Sequence, residues 1–283
     1  MPSLTTADGR RLVWRARGSG PPLVLHPGGP GCSSEYFGEL PELAAARTLL
    51  LLDPRGTGGS DRPADPSGYD LEDYAADIEA LRAHLGLERL DLLGHSHGGF
   101  VAMTWASMHP DRVGRLIIAS SAPRFTPAIR RMRAARIASH EGESYYEDSL
   151  AAIAAHGAGE FSSDTELSAL YAREWRVFVP IGVDATAVLG ALRRAGNNAD
   201  ALRHFNSRIA AGMDQRAALA AVTSPTLVLV GELDAFGVAP GEEIAGALPD
   251  ARLLVLPGAD HFPFLESADH RAACSHAVLE FVA

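Results

Sequence analysis

Three side chains suited to acyl transfer, a serine, an aspartate and a histidine, each follow a short apolar segment of this 283-residue chain. Ser96 follows residues 90–93 and is flanked by Gly94 and Gly98 in the pattern Gly-x-Ser-x-Gly. A serine hydroxyl is a weak nucleophile until a neighbouring base takes its proton. The two glycines permit a turn from strand to helix that is too tight for larger residues and exposes the serine at its tip. Ser96 is therefore our predicted nucleophile.

The base and the acid that Ser96 requires are predicted at His261 and Asp234, each placed after a further apolar segment. Open α/β sheets place functional side chains at the carboxyl ends of their strands. Asp234 would hold the imidazole tautomer, while His261 would take the serine proton and later deliver it to the leaving group. Taken singly, Asp234 is equally well a cap for a helix near Pro240, and His261 an ordinary loop histidine. The order of the three residues favours a catalytic triad.

Acyl transfer also needs donors for the oxyanion that develops on the substrate. The apolar segment 22–25 leads into residues 26–31, with the sequence His-Pro-Gly-Gly-Pro-Gly. Glycines in such a loop let a backbone N–H approach a substrate oxygen without a Cβ in the way. We assign the N–H groups of Gly29 and His97 to the oxyanion hole. The alternative is an ordinary Gly-Pro turn after a strand.

A second glycine-rich loop, residues 53–63, is interpreted as structural, with Arg55 and Asp61 bracing its turns. Neither loop contains the Gly-Lys-Ser/Thr phosphate cradle or the spaced dinucleotide fingerprint. The pair His95 and His97 is similar to the start of a metal site, but two glycines follow where a metallohydrolase would have an Asp-His pair. We expect no metal and no nucleotide cofactor.

The elements that must position these residues alternate between strand and helix. Apolar segments short enough for buried strands are residues 22–25, 48–52, 90–93, 115–119, 226–230 and 252–256. Several are continuous rather than alternating, as expected where both faces of a sheet are covered. Helical patterns are residues 71–85 with Asp70 as N-cap, residues 99–109 and residues 269–282. This alternation predicts an α/β fold with a mostly parallel central sheet flanked by helices.

The alternation stops after residue 119. Residues 123–221 are rich in Ala, Arg, Glu and His, with helical spacing and no convincing strand. We predict an all-helical cap domain over residues 123–221, inserted into a core domain made of residues 1–122 and 222–283. Such an insertion usually lies over the active-site edge of the sheet as a lid.

Composition excludes several classes of partner. The formal charge, from 25 basic and 35 acidic residues, is −10, so neither nucleic acid nor an anionic membrane surface is expected to bind. The first residues lack the basic and apolar regions of a secretory signal, and no apolar run approaches a membrane span. Cys32 and Cys274 form neither a disulfide framework nor a metal spacing. We expect a cytoplasmic protein and leave its oligomeric state open.

Taken together, these motifs resemble the α/β-hydrolase superfamily over nearly the whole chain. Within it, four segments resemble the proline iminopeptidase branch: Pro-Gly-Gly-Pro-Gly at 27–31, Asp-Pro-Arg-Gly at 53–56, Gly-His-Ser-His-Gly-Gly at 94–99 and Asp-His-Phe-Pro-Phe-Leu-Glu at 260–266. The resemblance implies a helical cap over a buried pocket. It also implies release of an N-terminal residue, often proline, although other members cleave different small amides or esters.

Three positions depart from the pattern of that branch. Pro27 stands where the branch usually has histidine, with His26 adjacent, and Pro54 replaces a glutamine. The resemblance also implies acidic cap residues that bind the free amine of the substrate. A second such glutamate often follows an Arg-Ile pair, but here Ala210 follows it.

Glu174 is our candidate for the amine-binding carboxylate, because a buried ammonium needs an anionic partner. The adjacent Trp175 would form a wall of the pocket. The alternative is a solvated helical glutamate next to Arg173.

We therefore predict a serine hydrolase that works through an acyl-enzyme and cleaves a small aminoacyl amide or the N-terminal residue of a short peptide. One alternative is a carboxylesterase or lactonase whose apolar pocket lacks amine recognition. Another is a non-catalytic ligand-binding protein on a hydrolase scaffold. A third is an acyltransferase, in which an alcohol or thiol replaces water as acceptor.

Overall fold

Eight strands form one sheet in the computed structural model, which describes residues 1–283. The strands are β1 (Ser3–Thr5), β2 (Arg11–Arg17), β3 (Pro22–His26), β4 (Thr48–Asp53), β5 (Leu90–His95), β6 (Val113–Ala119), β7 (Thr226–Gly231) and β8 (Ala251–Leu256). Their order across the sheet is β1-β2-β4-β3-β5-β6-β7-β8. The six strands β3 to β8 are parallel, and β1 and β2 pair in antiparallel fashion at one edge.

All six predicted strands are present, within two residues of their predicted bounds. The antiparallel strands β1 and β2 were not predicted. The apolar run of β2 is only Leu12, Val13 and Trp14, all buried and flanked by arginines. A run this short gives a weaker periodic signal than the continuous leucines of the central strands.

Helices flank the sheet and fill the long connection between β6 and β7. They are α1 (Pro41–Ala44), α2 (Leu71–His84), α3 (His97–Met108), α4 (Pro127–Ala138), α5 (Tyr146–Gly157), α6 (Asp164–Glu174), α7 (Thr186–Ala195), α8 (Ala199–His204), α9 (Arg216–Leu219), α10 (Ala239–Ala247) and α11 (Ala268–Val282). The predicted N-cap Asp70 is confirmed: it starts α2 and forms a capping box with Asp73.

Apolar clusters cover both faces of the sheet. Along β4, Leu49 and Leu51 join one cluster, while Leu50 and Leu52 join the cluster on the opposite face. Successive side chains of a strand point to opposite faces. A strand buried on both sides is therefore apolar at every position, which explains the continuous leucine run.

Residues 123–221, which we call the helical insertion, contain α4 to α9. Their only strand-like pairing is an isolated bridge between Arg124 and Asp214. Tyr171 and Trp175 of the insertion belong to the same apolar cluster as Tyr36 and Phe262 from outside it. The insertion is helical as predicted, whereas its standing as a separate domain stays a prediction.

Cys32 and Cys274 are both buried and unpaired. None of the helices combines the length and the apolar character needed to cross a membrane.

Candidate active site

Ser96 is the single residue between the end of β5 at His95 and the start of α3 at His97. Its backbone has φ +55° and ψ −117°, a conformation that non-glycine residues rarely adopt. The surrounding backbone holds it there, because the Ser96 N–H donates to the Ala119 carbonyl at 2.9 Å and the Gly99 N–H donates to the Ser96 carbonyl at 2.9 Å. Such strain persists only where neighbouring contacts over-determine it.

The flanking glycines are required by close backbone approach. A Cβ on Gly94 would lie 2.2 Å from the Gly98 carbonyl oxygen, and a Cβ on Gly98 would lie 2.2 Å from the His26 carbonyl oxygen. These distances are far inside van der Waals contact. The predicted need for small residues on both sides of Ser96 is therefore confirmed.

The structure brings Ser96, His261 and Asp234 together at the carboxyl edge of the sheet. The Ser96 Oγ lies 3.1 Å from His261 Nε2, and His261 Nδ1 lies 3.2 Å from each carboxylate oxygen of Asp234. The serine hydroxyl donates to Nε2, and the Nδ1–H donates to the carboxylate. Asp234 does not cap α10, which begins at Ala239 after Val238 as N-cap, so the capping alternative is wrong.

Burial and charge act against each other in this array. Burial alone would lower the pKa of His261, but the charge and hydrogen bond of Asp234 outweigh burial and raise that pKa. Burial alone would raise the pKa of Asp234, but the charge of His261 and its hydrogen bond lower it. Asp234 therefore stays ionised and favours the protonated imidazole.

Two further carboxylates, those of Asp260 and Glu266, fix the loop that carries His261. Glu266 accepts the N–H groups of Asp260 at 2.9 Å and of Phe262 at 2.7 Å, on either side of the histidine. Asp260 accepts the His261 N–H at 2.8 Å and the Nε–H of Arg136, from α4, at 2.7 Å. Burial raises the pKa of Asp260 to about 6, although Arg136 opposes this, and burial raises the pKa of Glu266 to about 8.

His95 and Tyr36 also support the loop that carries His261. The sequence analysis assigned neither residue a role in the site. The Tyr36 hydroxyl donates to His95 Nδ1, and His95 Nε2–H donates to the His261 carbonyl at 2.7 Å. Burial lowers the pKa of His95 to about 3, so the ring is neutral and both nitrogens are used. The position of His95 inside the serine motif was the only sequence signal for this role.

The two predicted oxyanion donors lie beside Ser96. Neither the Gly29 N–H nor the His97 N–H donates to a protein acceptor. His97 is the first residue of α3, where N–H groups lack helical partners and the helix dipole favours negative charge. A Cβ on Gly28 would lie 3.0 Å from the Ser96 Cβ, which shows how closely the glycine loop approaches the serine. The assignment of an oxyanion hole stays a prediction.

A cavity of about 420 Å³ opens over Ser96 and His261, and the helical insertion supplies more than half of its wall. Most of the wall is aromatic or aliphatic: Tyr36, Phe100, Phe125, Tyr171, Trp175, Phe178, Leu202, Phe205, Phe236 and Phe262. A cavity of this size and lining suits a small ligand with an apolar body.

Glu174 and Trp175 both lie in the wall of this cavity. The Glu174 side chain is 2% exposed, with one oxygen 2.7 Å from His156 Nδ1 and the other 3.2 Å from an Arg133 Nη. The solvated alternative is therefore wrong, and Arg173 pairs with Asp148 instead. The roles of Glu174 and Trp175 in substrate binding stay predictions.

Two of the departures from the resembled branch, at Pro27 with the adjacent His26 and at Ala210, differ in their relation to the cavity. His26 does not line the cavity; its Nδ1 lies 3.1 Å from the Pro27 carbonyl, its ring packs against Tyr74, and burial lowers its pKa to about 4. It therefore does not take the place of the missing histidine at position 27. Ala210 does line the cavity, so no carboxylate faces the ligand there.

In the second glycine-rich loop, Arg55 and Asp61 hold the backbone in place as predicted. Arg55 is buried and pairs with Asp77 at 2.8 Å, and Asp61 accepts the Arg11 N–H at 2.8 Å. No group of three or more His, Cys, Asp or Glu side chains is arranged to hold a metal ion.

Comparison with known proteins matches this chain to a protein family and to named relatives. The family model for the alpha/beta hydrolase fold matches residues 21–268. A proline iminopeptidase from Lactobacillus helveticus (strain DPC 4571) is 42% identical over 109 residues, which span 37% of this chain and only 37% of that relative's length. A proline iminopeptidase from Levilactobacillus brevis is 27% identical over 274 residues, which are 90% of this chain and 87% of the relative.

Solved structures match the fold of this chain over its full length. The crystal structure of a hydrolase from Pseudomonas aeruginosa PA01 is 28% identical, with a TM-score of 0.73, and the match covers 100% of this chain and 98% of that one. Two further matched structures, an esterase from Thermogutta terrifontis and an enol-lactonase from Burkholderia xenovorans LB400, are each 23% identical, with TM-scores of 0.72 and 0.70, and indicate the fold alone.

Proposed function

The chain belongs to the α/β-hydrolase family, and from this premise we propose that it is a serine hydrolase with Ser96, His261 and Asp234 as its catalytic triad. The observation that carries the proposal is the unbroken hydrogen-bond path from Ser96 Oγ through the imidazole to Asp234, with distances of 3.1 Å and 3.2 Å. This path begins in the wall of the cavity where a substrate would bind.

In the proposed mechanism, Ser96 Oγ attacks the carbonyl carbon of the substrate while its proton passes to His261 Nε2. Asp234 stabilises the imidazolium, and the N–H groups of Gly29 and His97 stabilise the oxyanion. Collapse of the tetrahedral intermediate expels the leaving group, which takes the proton from His261. Water then attacks the acyl-enzyme by the same steps and releases the acid.

The helical insertion is proposed to act as a cap that selects the substrate. It supplies Glu174, Trp175 and most of the aromatic wall. Because the triad comes from the sheet and the wall from the insertion, chemistry and specificity are assigned to different parts of the chain.

The first candidate substrate is an aminoacyl amide or the N-terminal residue of a short peptide, as the names of the iminopeptidase relatives suggest. The buried carboxylate of Glu174 in the cavity wall supports this candidate. A substrate ammonium would have to displace Arg133 or His156 from that carboxylate.

The second candidate is a small apolar ester or lactone. It is favoured by the pairing of Glu174 with Arg133 and His156, and by the absence of a second carboxylate at Ala210. An uncharged acyl group needs no anionic partner and gains from burial against the aromatic wall.

The experiment compares prolyl and alanyl 4-nitroanilides with 4-nitrophenyl esters, using the unmodified protein and Ser96→Ala. We expect turnover that is lost in Ser96→Ala, and labelling of Ser96 by a fluorophosphonate. Ester turnover without anilide turnover would contradict the first candidate. Absence of labelling and of all turnover would contradict the serine-hydrolase proposal and favour a ligand-binding protein. Added alcohol or thiol acceptors would reveal acyl transfer as a new ester product.

A further inference from the structure

We propose that Arg130 and Arg133 form an anion subsite in the cavity, which binds a carboxylate carried by the substrate away from the scissile bond. This inference rests on the proposed function and specifies the class of substrate that the same cavity accepts.

The two arginines share one face of α4. Residues three apart on a helix are neighbours, with their Cβ atoms about 5–6 Å apart. Both line the cavity over Ser96. Arg130 is exposed and makes no ion pair or side-chain hydrogen bond within the protein, so its five N–H donors are free for a ligand.

Arg133 is only partly committed to Glu174. Its Nη lies 3.2 Å from one carboxylate oxygen, its guanidinium lies 5.1 Å from the centre of the Phe178 ring, and its side chain remains 37% exposed. The other Glu174 oxygen is held by His156 at 2.7 Å. The carboxylate of Glu174 is therefore paired with Arg133 and His156, and Arg130 is not needed to neutralise it.

Charge in the cavity wall is opposite in sign to that of the molecule. The residues that line the wall and carry a formal charge are Arg130, Arg133 and Glu174, which leave one positive charge in excess. The whole chain carries −10. The net charge of the molecule therefore repels an anionic ligand, and the local attraction comes from the guanidinium of Arg130, which no carboxylate of the wall balances.

A carboxylate is the anion that this arrangement fits. A guanidinium donates two parallel hydrogen bonds to a carboxylate, so an unpaired arginine side chain recognises this anion by geometry as well as by charge. The carboxylate has two possible sources, the acyl group or the leaving group. A half-ester of a dicarboxylic acid carries it on the acyl side, and a short peptide carries it on the leaving side.

The test measures kcat/KM for three chromogenic esters of matched length. The neutral reference is 4-nitrophenyl hexanoate, mono-4-nitrophenyl adipate places a carboxylate on the acyl side, and 3-carboxy-4-nitrophenyl hexanoate places one on the leaving side. In Arg130→Gln we expect the ratio of anionic to neutral kcat/KM to fall about tenfold for one of the two arms, mainly through KM. The arm that responds identifies the source of the carboxylate.

Arg131→Gln is the matched control. Arg131 lies on the same helix, is exposed and does not line the cavity. The substitution Arg131→Gln removes the same charge from the molecule as Arg130→Gln. If it leaves the ratio of anionic to neutral kcat/KM unchanged, a long-range charge effect is excluded. Equal ratios in Arg130→Gln, Arg131→Gln and the unmodified protein would overturn the subsite.

A binding measurement separates failure of the subsite from failure of the proposed function. In Ser96→Ala the same esters remain intact, and their binding is measured by the quenching of tryptophan fluorescence by the nitrophenyl group, since Trp175 lies in the cavity wall. We expect Arg130→Gln in this background to weaken the anionic ester about tenfold relative to the neutral one. If Arg130→Gln weakens the anionic and the neutral ester equally, the subsite is contradicted even when the protein hydrolyses neither ester. Turnover of the neutral ester by the unmodified protein tests the proposed role of Ser96 separately.

Discussion

In the proposed mechanism, Asp234 determines the pH at which His261 can act as a base. The imidazole must be neutral to accept the serine proton, and Asp234 raises its pKa despite burial. Activity should therefore rise with pH through that raised pKa and be lost below it.

The substitution Asp234→Asn removes the charge that raises the pKa of His261. We expect kcat to fall by about 10³–10⁴-fold and the acidic limb of the kcat/KM profile to move to lower pH. The pH profile of ester hydrolysis measures both effects. Asp148→Asn, at an exposed carboxylate paired with Arg173, is the control that should leave the profile in place. If the acidic limb of the kcat/KM profile lies at the same pH in Asp234→Asn, the assignment of that limb to the pKa of His261 is contradicted.

The backbone of Ser96 imposes a cost on stability that is separable from its chemistry. Both Ser96→Gly and Ser96→Ala remove the proposed nucleophile, but only glycine adopts φ +55° and ψ −117° without strain. We expect Ser96→Gly to unfold at a higher urea concentration than Ser96→Ala, by about 1 kcal/mol in the free energy of unfolding.

The control for this comparison is Ser139, which has φ −65° and ψ −12° at the end of α4. At that position the alanine variant should be the more stable of the two, because no strain is relieved. The same order at Ser96 as at Ser139 would show that the serine backbone is unstrained.

At the scale of elements, one ion pair joins the helical insertion to the loop that carries His261. Arg136 of α4 pairs with Asp260, whose side chain is fully buried and also accepts the His261 N–H. Removing one partner of a buried pair leaves an uncompensated charge, which is far more costly than removing both.

We expect Arg136→Gln to destabilise the protein by about 3 kcal/mol at about pH 8, and by less at about pH 5. The sign follows from Asp260: its pKa in the folded state is already raised by burial to about 6, and loss of Arg136 raises it further. Below that pKa the carboxyl takes up a proton and the buried charge disappears, so the penalty shrinks as pH falls. Urea unfolding at both pH values measures it.

Asp260→Asn in the Arg136→Gln background should recover most of the lost stability, because no charge then remains buried. A penalty that is the same at both pH values, or no recovery in the double variant, would contradict a buried charge at Asp260. Ester hydrolysis in the same variants reports whether the loop still presents His261.

Elements and residues differed in how far the sequence predicted them. The spatial proximity of Ser96, Asp234 and His261 could be predicted, because each follows a continuous apolar strand and parallel strands end at one edge of the sheet. The contact between His95 and the His261 carbonyl joins residues 166 apart, and no local pattern encodes it. The same holds for the partners of Glu174, which depend on how three helices of the insertion pack.

On the scale of the whole molecule, the helical insertion and the sheet share one apolar cluster. That cluster contains Trp175 together with Leu23 of β3 and Leu49 of β4. A shared core couples the unfolding of its parts, because exposing one side removes packing from the other.

We expect a variant that retains only Trp175, with Trp14→Phe and Trp105→Phe, to unfold in a single transition. Its tryptophan fluorescence and its far-ultraviolet circular dichroism should change at the same urea concentration. A fluorescence transition that precedes the loss of helix and sheet would instead indicate that residues 123–221 unfold as an independent domain.

The positions of the proposed triad along the chain make the proposed activity depend on the association of the segments before and after the helical insertion. Ser96 lies before the helical insertion, and Asp234 and His261 lie after it. A break anywhere in the insertion therefore yields two pieces, neither of which holds a complete set of reacting groups. Hydrolysis would return only when the halves reassemble around the shared sheet, so this fold could serve as a split reporter of association.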